Sequence, residues 1–156
     1  MKFFRAIMAA SLLAVCAGQR ASAATGNVLF SGTVTATCTI TINSNGTMTV
    51  SSNLQSLSSH NAAGSAGSAQ VDTTGGVSLS VDPVTTTTVP VSDTTATTWI
   101  PTFATSGAQT IAETGTATAL TVPGTSTVAV NLAGTKSGTN RFSAGNYQAT
   151  VTLRCE

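Results

Sequence analysis

The residues with the most definite chemistry are Cys38 and Cys155, the two cysteines that remain once a predicted export signal is removed. Period-two alternation places each thiol on the apolar face of its strand, at 34–42 and 147–155 respectively. An even number of cysteines in an exported chain predicts a disulfide. Closing this loop of about 117 residues would contribute roughly 4–5 kcal/mol. A pair of buried free thiols is the alternative.

Other residue types that could do chemistry form no recognisable arrangement. The chain has one histidine, His60, and it lies in a Ser/Ala/Gly-rich segment at 58–68 that reads as a flexible loop. A Ser-His-Asp array or a metal site would depend on that residue alone. Asp72 and Asp82 are ten residues apart, which does not favour paired carboxylate catalysis. We therefore predict a protein that is not an enzyme and holds no cofactor or metal.

Residues 1–23 have the pattern of a secretory signal peptide. A positively charged start precedes an apolar run at 6–18, and Ala21-Ser22-Ala23 is a small-residue cleavage site. We expect the mature chain to begin at Ala24 and to pass through the periplasm to the cell surface or the medium. Lipidation at Cys16 is the alternative, because the residues before it loosely resemble a lipoprotein signal.

The charge of the predicted mature chain limits the classes of partner that it could bind. Three basic and five acidic residues give a formal charge of −2. No basic patch is present of the kind that binds nucleic acid or an anionic membrane. The predicted 133 residues after the signal are enough for one domain with its own core.

Alternation with period two recurs along the chain, and Thr and Val dominate it. Short strands separated by turn residues predict an all-β, antiparallel β-sandwich. The clearest strands are at 34–42, 47–50, 76–81 and 147–155, and a hairpin-like pair is expected at 116–122 and 126–132. Residues 84–105 are less regular. There Pro90 and Pro101 suit edge strands or loops, and Trp99, Ile100 and Phe103 are expected to cover one end of the core. A disordered, glycosylated stalk is the alternative for such a Ser/Thr-rich composition.

The segment between the signal and the first strand is the most informative one. Val28, Phe30, Gly32 and Val34 fall on one face of an extended chain. A short alternating arm in this position is what a subunit needs in order to complete the sheet of a neighbour. We therefore divide the mature chain into a donor-strand arm at 24–34 and a sandwich domain at 35–156.

Both ends of the mature chain resemble bacterial pilins of the chaperone–usher type. Residues 26–38, Gly-Asn-Val-Leu-Phe-Ser-Gly-Thr-Val-Thr-Ala-Thr-Cys, are similar to the mature start of type 1 fimbrial major subunits. Residues 143–153, Ser-Ala-Gly-Asn-Tyr-Gln-Ala-Thr-Val-Thr-Leu, resemble the last strand of the spore coat protein U group, which includes the archaic pilins.

The resemblance implies an immunoglobulin-like sandwich that lacks its final strand and exposes an apolar groove. A periplasmic chaperone would fill the groove first, and at an outer-membrane usher the arm of the next subunit would replace it. Carried over, Val28, Phe30 and Val34 are the anchors of the donor strand, and Gly32 fits where the groove is narrow. The acceptor wall carried over from the resemblance is formed by Tyr147, Val151 and Leu153.

The leading hypothesis is thus a fimbrial or pilus-like subunit that polymerises with identical or related subunits by donor-strand exchange. The alternative is a monomeric secreted coat or binding protein, in which residues 28–34 pair within their own sheet. In that case Trp99 and Phe103 could offer a sugar-stacking surface. An exported enzyme is a third hypothesis, which only a cluster of His60 with acidic residues would support.

Overall fold

The structure is a computed structural model that describes residues 22–156. The export signal predicted for residues 1–23, with Cys16, lies outside this part of the chain except for Ser22 and Ala23. The chain divides into two units after Gly32. Residues 22–32 contain no helix or strand, and the strands described below lie in the unit that begins at Thr33.

All regular elements of the described residues are β-strands, as the Thr- and Val-rich alternation predicts. The strands are β1 (Cys38–Ser44), β2 (Thr49–Val50), β3 (Ser56–Ser58), β4 (Gly67–Thr73), β5 (Val77–Val81), β6 (Thr86–Thr88), β7 (Thr98–Gly107), β8 (Ile111–Thr114), β9 (Thr118–Leu120), β10 (Gly124–Thr135), β11 (Gln148–Thr150) and β12 (Leu153–Cys155).

The larger sheet is built around β10, the longest strand, and all of its pairings are antiparallel. One edge of β10 pairs with β4 over its first half and with β3 at its end, so β4 and β3 follow each other along that edge. Beyond them lie β1, which pairs with β4, and β2, which pairs with β3. The other edge of β10 pairs with β7, which in turn pairs with β8.

The opposite layer consists of two short antiparallel sheets. Two stretches of chain, at 77–88 and at 148–155, each contribute one strand to both sheets. In one sheet β5 lies between β12 and β9, and in the other β6 pairs with β11. Because β5 and β6 follow each other along the chain, as do β11 and β12, residues 148–155 run as one interrupted strand along residues 77–88.

The core lies between the two layers. Its buried residues come from both, with alternate positions of each strand pointing inward. They are Ala69, Val71, Phe103 and Val128 from the larger sheet and Val77, Leu79, Val81 and Leu120 from the opposite layer. The predicted all-β, antiparallel β-sandwich is therefore confirmed.

Two local expectations were wrong. Phe103 is fully buried at the centre of the core and does not cover its end, because β7 continues past Pro101 as a regular strand along β10. Pro101 lies outside the part of β7 that pairs with β8, where its missing N–H is tolerated. The expected hairpin at 116–132 does not form, since β9 pairs with β5 and β10 pairs with β4. Gly124 follows Pro123 with φ 128° and begins the second of these two strands, which lie in different layers.

The segment at 58–68 is also more ordered than its composition predicts. Ser58 and Ser59 are buried, and the Ser59 hydroxyl donates to Asn131 Oδ1 at 2.8 Å. The backbone N–H of Leu132 donates to the same Ser59 oxygen at 3.2 Å. These bonds tie the segment to β10, a partner more than 70 residues away in sequence that composition could not identify.

Candidate functional site: a groove between two strand edges

Two strand edges on the same side of the sandwich have no strand partner among the described residues. β1 pairs only with β4, and the interrupted strand β11–β12 pairs only with β6 and β5. β1 belongs to the larger sheet and β12 to the opposite layer, and the two strands contact each other at Cys38 and Cys155. An unpaired edge presents free N–H and C=O groups to any added strand.

Between these edges lies a groove of about 800 Å³, which we call the edge groove. One wall runs from Ile42 to Met48, and the other runs from Gly145 to Val151 and includes Leu153. The base consists of inward-facing residues of the larger sheet. The apolar side chains of the base are Leu57, Ala69, Val130 and Leu132. The groove is therefore bordered by two strand edges and has apolar side chains in its base, and polar residues such as Ser44, Asn146 and Gln148 line it as well.

Ile42 shows that inward-facing residues are left uncovered in the edge groove. Ile40 and Ile42 are paired with Val71 and Ala69, which are both buried, so all four face the core side of the sheet. Ile42 is nevertheless 63% exposed, while Ile40 is half-buried against the core. The layer opposite β1 thus covers the strand near Cys38 and leaves it open toward Ser44.

The three residues predicted to form an acceptor wall all lie along the edge groove. Tyr147, Val151 and Leu153 are half-buried and line it on the same side. Val151 and Leu153 also pack against the core. Their role as an acceptor for another strand stays a prediction.

Tyr147 is held in place by a buried ion pair that sequence reasoning missed. Its hydroxyl donates to Asp93 Oδ2, and the Ser143 N–H donates to the tyrosine oxygen at 3.0 Å. Lys136 Nζ lies 2.7 Å from Asp93 Oδ1 and donates to the Thr95 carbonyl at 2.7 Å. The side chains of Lys136 and Asp93 are 0% and 1% exposed. The pair crosses 43 residues of sequence, and no local pattern signals it.

The electrostatics of this cluster follow from its burial. Burial opposes the charge on Asp93, but hydrogen bonds from Lys136, Tyr147 and Thr95 outweigh that effect and lower the pKa of Asp93 to about 2. Burial and the bond to Asp93 raise the pKa of Tyr147 to about 12. The Lys136 ammonium also lies 4.9 Å from the centre of the Phe142 ring.

The disulfide predicted between Cys38 and Cys155 is confirmed. It joins the first residue of β1 to the last residue of β12, and the two Cα atoms are 6.2 Å apart. Both cysteines pack against the core, and neither lines the edge groove. We call this end of the groove the disulfide end, and the end at Ser44 and Gly145 the open end.

The predicted donor residues are exposed. Val28 and Phe30 are 76% and 89% exposed, and Val34, in the second unit, is 82% exposed. A Cβ atom at Gly32 would meet no other atom within 4 Å. Leu29, which alternation places on the opposite face from Phe30, is 91% exposed. A run of exposed apolar residues along the sequence is typical of a segment that binds a partner.

His60 does contact an acidic residue, and together with Ser58 the two have the residue types of a hydrolytic triad. Its Nε2 lies 3.0 Å from Glu113 Oε2, and its Nδ1 lies 3.5 Å from the Ser58 hydroxyl oxygen. Ser58 is buried, however, and its oxygen accepts the N–H of His60 itself at 3.1 Å in a local turn. A nucleophile needs an approachable oxygen, so the arrangement fits a structural contact. That the protein is not an enzyme stays a prediction.

The remaining carboxylates bind hydroxyl, amide or guanidinium groups, and Arg154 pairs with both Asp82 and Glu156. Asp72 accepts hydrogen bonds from Thr125 and Gln70, which lower its pKa. Asp82 forms an exposed pair with Arg154, at 2.6 Å between Oδ2 and Nη2, which lowers the pKa of Asp82. Within residues 22–156 no three His, Cys, Asp or Glu side chains come together as a metal-binding group.

Comparisons of the chain with protein-family models, with curated proteins and with solved structures find no match. In the part of the chain that the structure describes, no helix has the length and apolarity needed to span a membrane.

Proposed function

We propose that this chain is a structural subunit of a fimbria- or pilus-like surface fibre and that it polymerises by donor-strand exchange. Residues 24–34 of one copy would add a strand to the edge groove of the next copy. The partners are then identical or related subunits, and the sandwich is an incomplete one of immunoglobulin-like type. The resemblance adds export through the periplasm, a chaperone that covers the groove in transit, and an outer-membrane usher.

The observation that carries the proposal is the exposed, inward-facing Ile42 between two unpaired strand edges. A complete sandwich would cover that side chain with a strand of the opposite layer. Burying apolar surface is worth roughly 25 cal/mol per Å², and an added strand also satisfies backbone groups along β1 and β11–β12. Strand addition is therefore the form of binding that this site favours.

The dimensions support the same conclusion. Residues 28–34 span about 20 Å when extended, and the wall from Gly145 to Leu153 spans about 26 Å. Val28, Phe30 and Val34 would then face the apolar base together, with Gly32 between Phe30 and Val34. The donor segment predicted from sequence is thus short enough to lie along this wall, with its apolar side chains on one face.

The positions of chain entry and groove opening also favour a fibre. The Thr37 N–H donates to Thr74 Oγ1 at 2.8 Å, and Thr74 Oγ1 donates to the Thr35 carbonyl at 3.0 Å. The chain therefore enters the sandwich beside the disulfide end, whereas the edge groove opens at the other end of β1. A head-to-tail contact of this kind builds a filament when it repeats from copy to copy without closing into a ring.

The test replaces residues 24–33 by a Gly/Ser segment of equal length and examines the secreted material by electron microscopy. We expect the fibres to disappear. A matched pair of single variants tests the predicted face of the strand. Phe30→Thr should abolish fibres, and Leu29→Thr, at an equally exposed position on the other face, should retain them.

Undiminished assembly of the chain with residues 24–33 replaced would rule out the arm as the donor. A purified wild-type chain that stays monomeric and unfolds cooperatively without partners would support the alternative, a monomeric secreted coat or binding protein.

A further inference from the structure

The two walls of the edge groove are not equally far apart along its length. At the disulfide end the Cα atoms of Cys38 and Cys155 are 6.2 Å apart. A strand that pairs on both sides needs two inter-strand spacings, or about 9.5 Å, between its neighbours. No strand can therefore pass between β1 and β12 at the disulfide.

The lining of the groove shows where the space begins. On β1 the lining starts at Ile42, four residues after Cys38. On the opposite wall it ends at Leu153, two residues before Cys155. Ile40, which lies between Cys38 and Ile42 on β1, is half-buried against the core and is not part of the lining. The groove is thus closed at the disulfide end by a covalent bond and is open at Ser44 and Gly145.

We propose that the Cys38–Cys155 disulfide is an end stop of the edge groove, which sets how far the arm of a second copy can insert. The inference rests on the proposed function. A donor strand of period two can bind in several registers that keep the same face inward, each shifted by two residues. A fixed stop removes the deeper registers, because further insertion would drive the donor into the bridge.

The test uses the mature Phe30→Thr chain in its oxidised form, whose own arm should not occupy the groove of a neighbour. The probes are a synthetic peptide of residues 24–34 and two longer peptides. One has Val-Thr added before residue 24 and the other has Thr-Val added after residue 34, so that each added valine falls on the face of Val28 and Phe30. Binding is measured by fluorescence anisotropy. We expect the longer peptides to bind the oxidised chain no more tightly than the 24–34 peptide.

The comparison chain carries Cys38→Ser and Cys155→Ser as well. With the stop removed, one longer peptide should bind at least about tenfold more tightly than the 24–34 peptide, the gain that one further buried valine supplies. Tighter binding of a longer peptide to the oxidised chain would overturn the end stop. Failure of the 24–34 peptide to bind the oxidised chain would overturn the proposed function and the end stop with it.

A second measurement does not depend on the serine variant folding. The 24–34 peptide carries a photoreactive residue at one end or the other, and its adducts on the oxidised chain are mapped by mass spectrometry. We expect adducts along the edge groove between its open end and Leu153. Adducts at Gly76, Val77 or Glu156, which lie beyond the bridge next to Cys155 and its partner strand, would contradict a stop at the disulfide.

Discussion

The wall of the edge groove that runs from Gly145 to Leu153 is held in place by the contacts of a few single residues. Lys136 and Asp93 form an ion pair from which solvent is excluded, and Asp93 in turn binds the hydroxyl of Tyr147. A buried pair of charges is costly to break on one side only, because the remaining charge is left without a partner. The wall residue Tyr147 is therefore tied to the stability of the whole domain.

The first prediction concerns this pair. Lys136→Met keeps the length of the side chain but leaves Asp93 unpaired, and we expect the free energy of unfolding to fall by about 3–5 kcal/mol. Urea denaturation of the purified chain measures the change. Arg154→Met is the matched control, because it breaks only solvent-exposed pairs, with Asp82 and Glu156, and should change stability much less than Lys136→Met does. Equal effects of the two variants would contradict the assigned burial.

The second prediction is a pH dependence. Asp93 has a pKa of about 2 in the folded chain against an ordinary value of 3.8, so its contribution to stability is complete above pH 3.8 and is lost as the pH falls through about 2. The wild-type chain should therefore lose more stability between these pH values than Asp93→Asn does. Unfolding monitored by circular dichroism at several pH values measures the difference. Parallel pH profiles of the wild-type chain and Asp93→Asn would show that Asp93 does not cause the loss of stability.

At the scale of the elements, the long pairing of β7 with β10 organises the larger sheet. The two strands are paired from Thr98 to Gly107 on β7 and from Ser126 to Thr135 on β10. Trp99 lies opposite Gly134, and its indole ring covers the glycine. A small residue at this position lets the ring lie flat against the strand.

The third prediction tests that contact. A Cβ atom at position 134 would lie 2.4 Å from Cζ3 of Trp99, so Gly134→Ala forces the ring to move and should cost about 1–3 kcal/mol. Thermal or urea unfolding measures the loss. In a Trp99→Leu background the same substitution should cost less, and an unchanged cost would show that the indole ring is not the cause.

At the scale of the whole molecule, strand exchange predicts that the assembly resists dissociation by cold detergent. A donor strand buried in the edge groove leaves only when the sandwich opens, so dissociation is limited by unfolding. We expect the secreted wild-type material to migrate as a ladder of polymers in cold detergent and to collapse to one band on boiling. The Phe30→Thr variant should give the single band under both conditions. A wild-type chain that runs as a monomer without boiling would contradict strand exchange.

The sequence by itself determined the features that depend on local alternation. Period two along the chain identified the all-β class, and it placed Cys38 and Cys155 on apolar faces that the disulfide now joins. It also placed Tyr147, Val151 and Leu153 on one face of their strand, and these residues, which the resemblance made an acceptor wall, lie together along one wall of the edge groove. Each of these inferences needs only neighbouring residues, because the direction of a side chain in a strand follows from its position.

Tertiary structure decided which strands pair and which edges remain unpaired. Adjacent segments such as β9 and β10 lie in different layers, Phe103 occupies the centre of the core, and Lys136 finds Asp93 across 43 residues. Alternation says which way a side chain points and nothing about the strand it will meet. Pairing is chosen by burial over the whole sandwich, and that same choice leaves Ile42 uncovered between two strand edges.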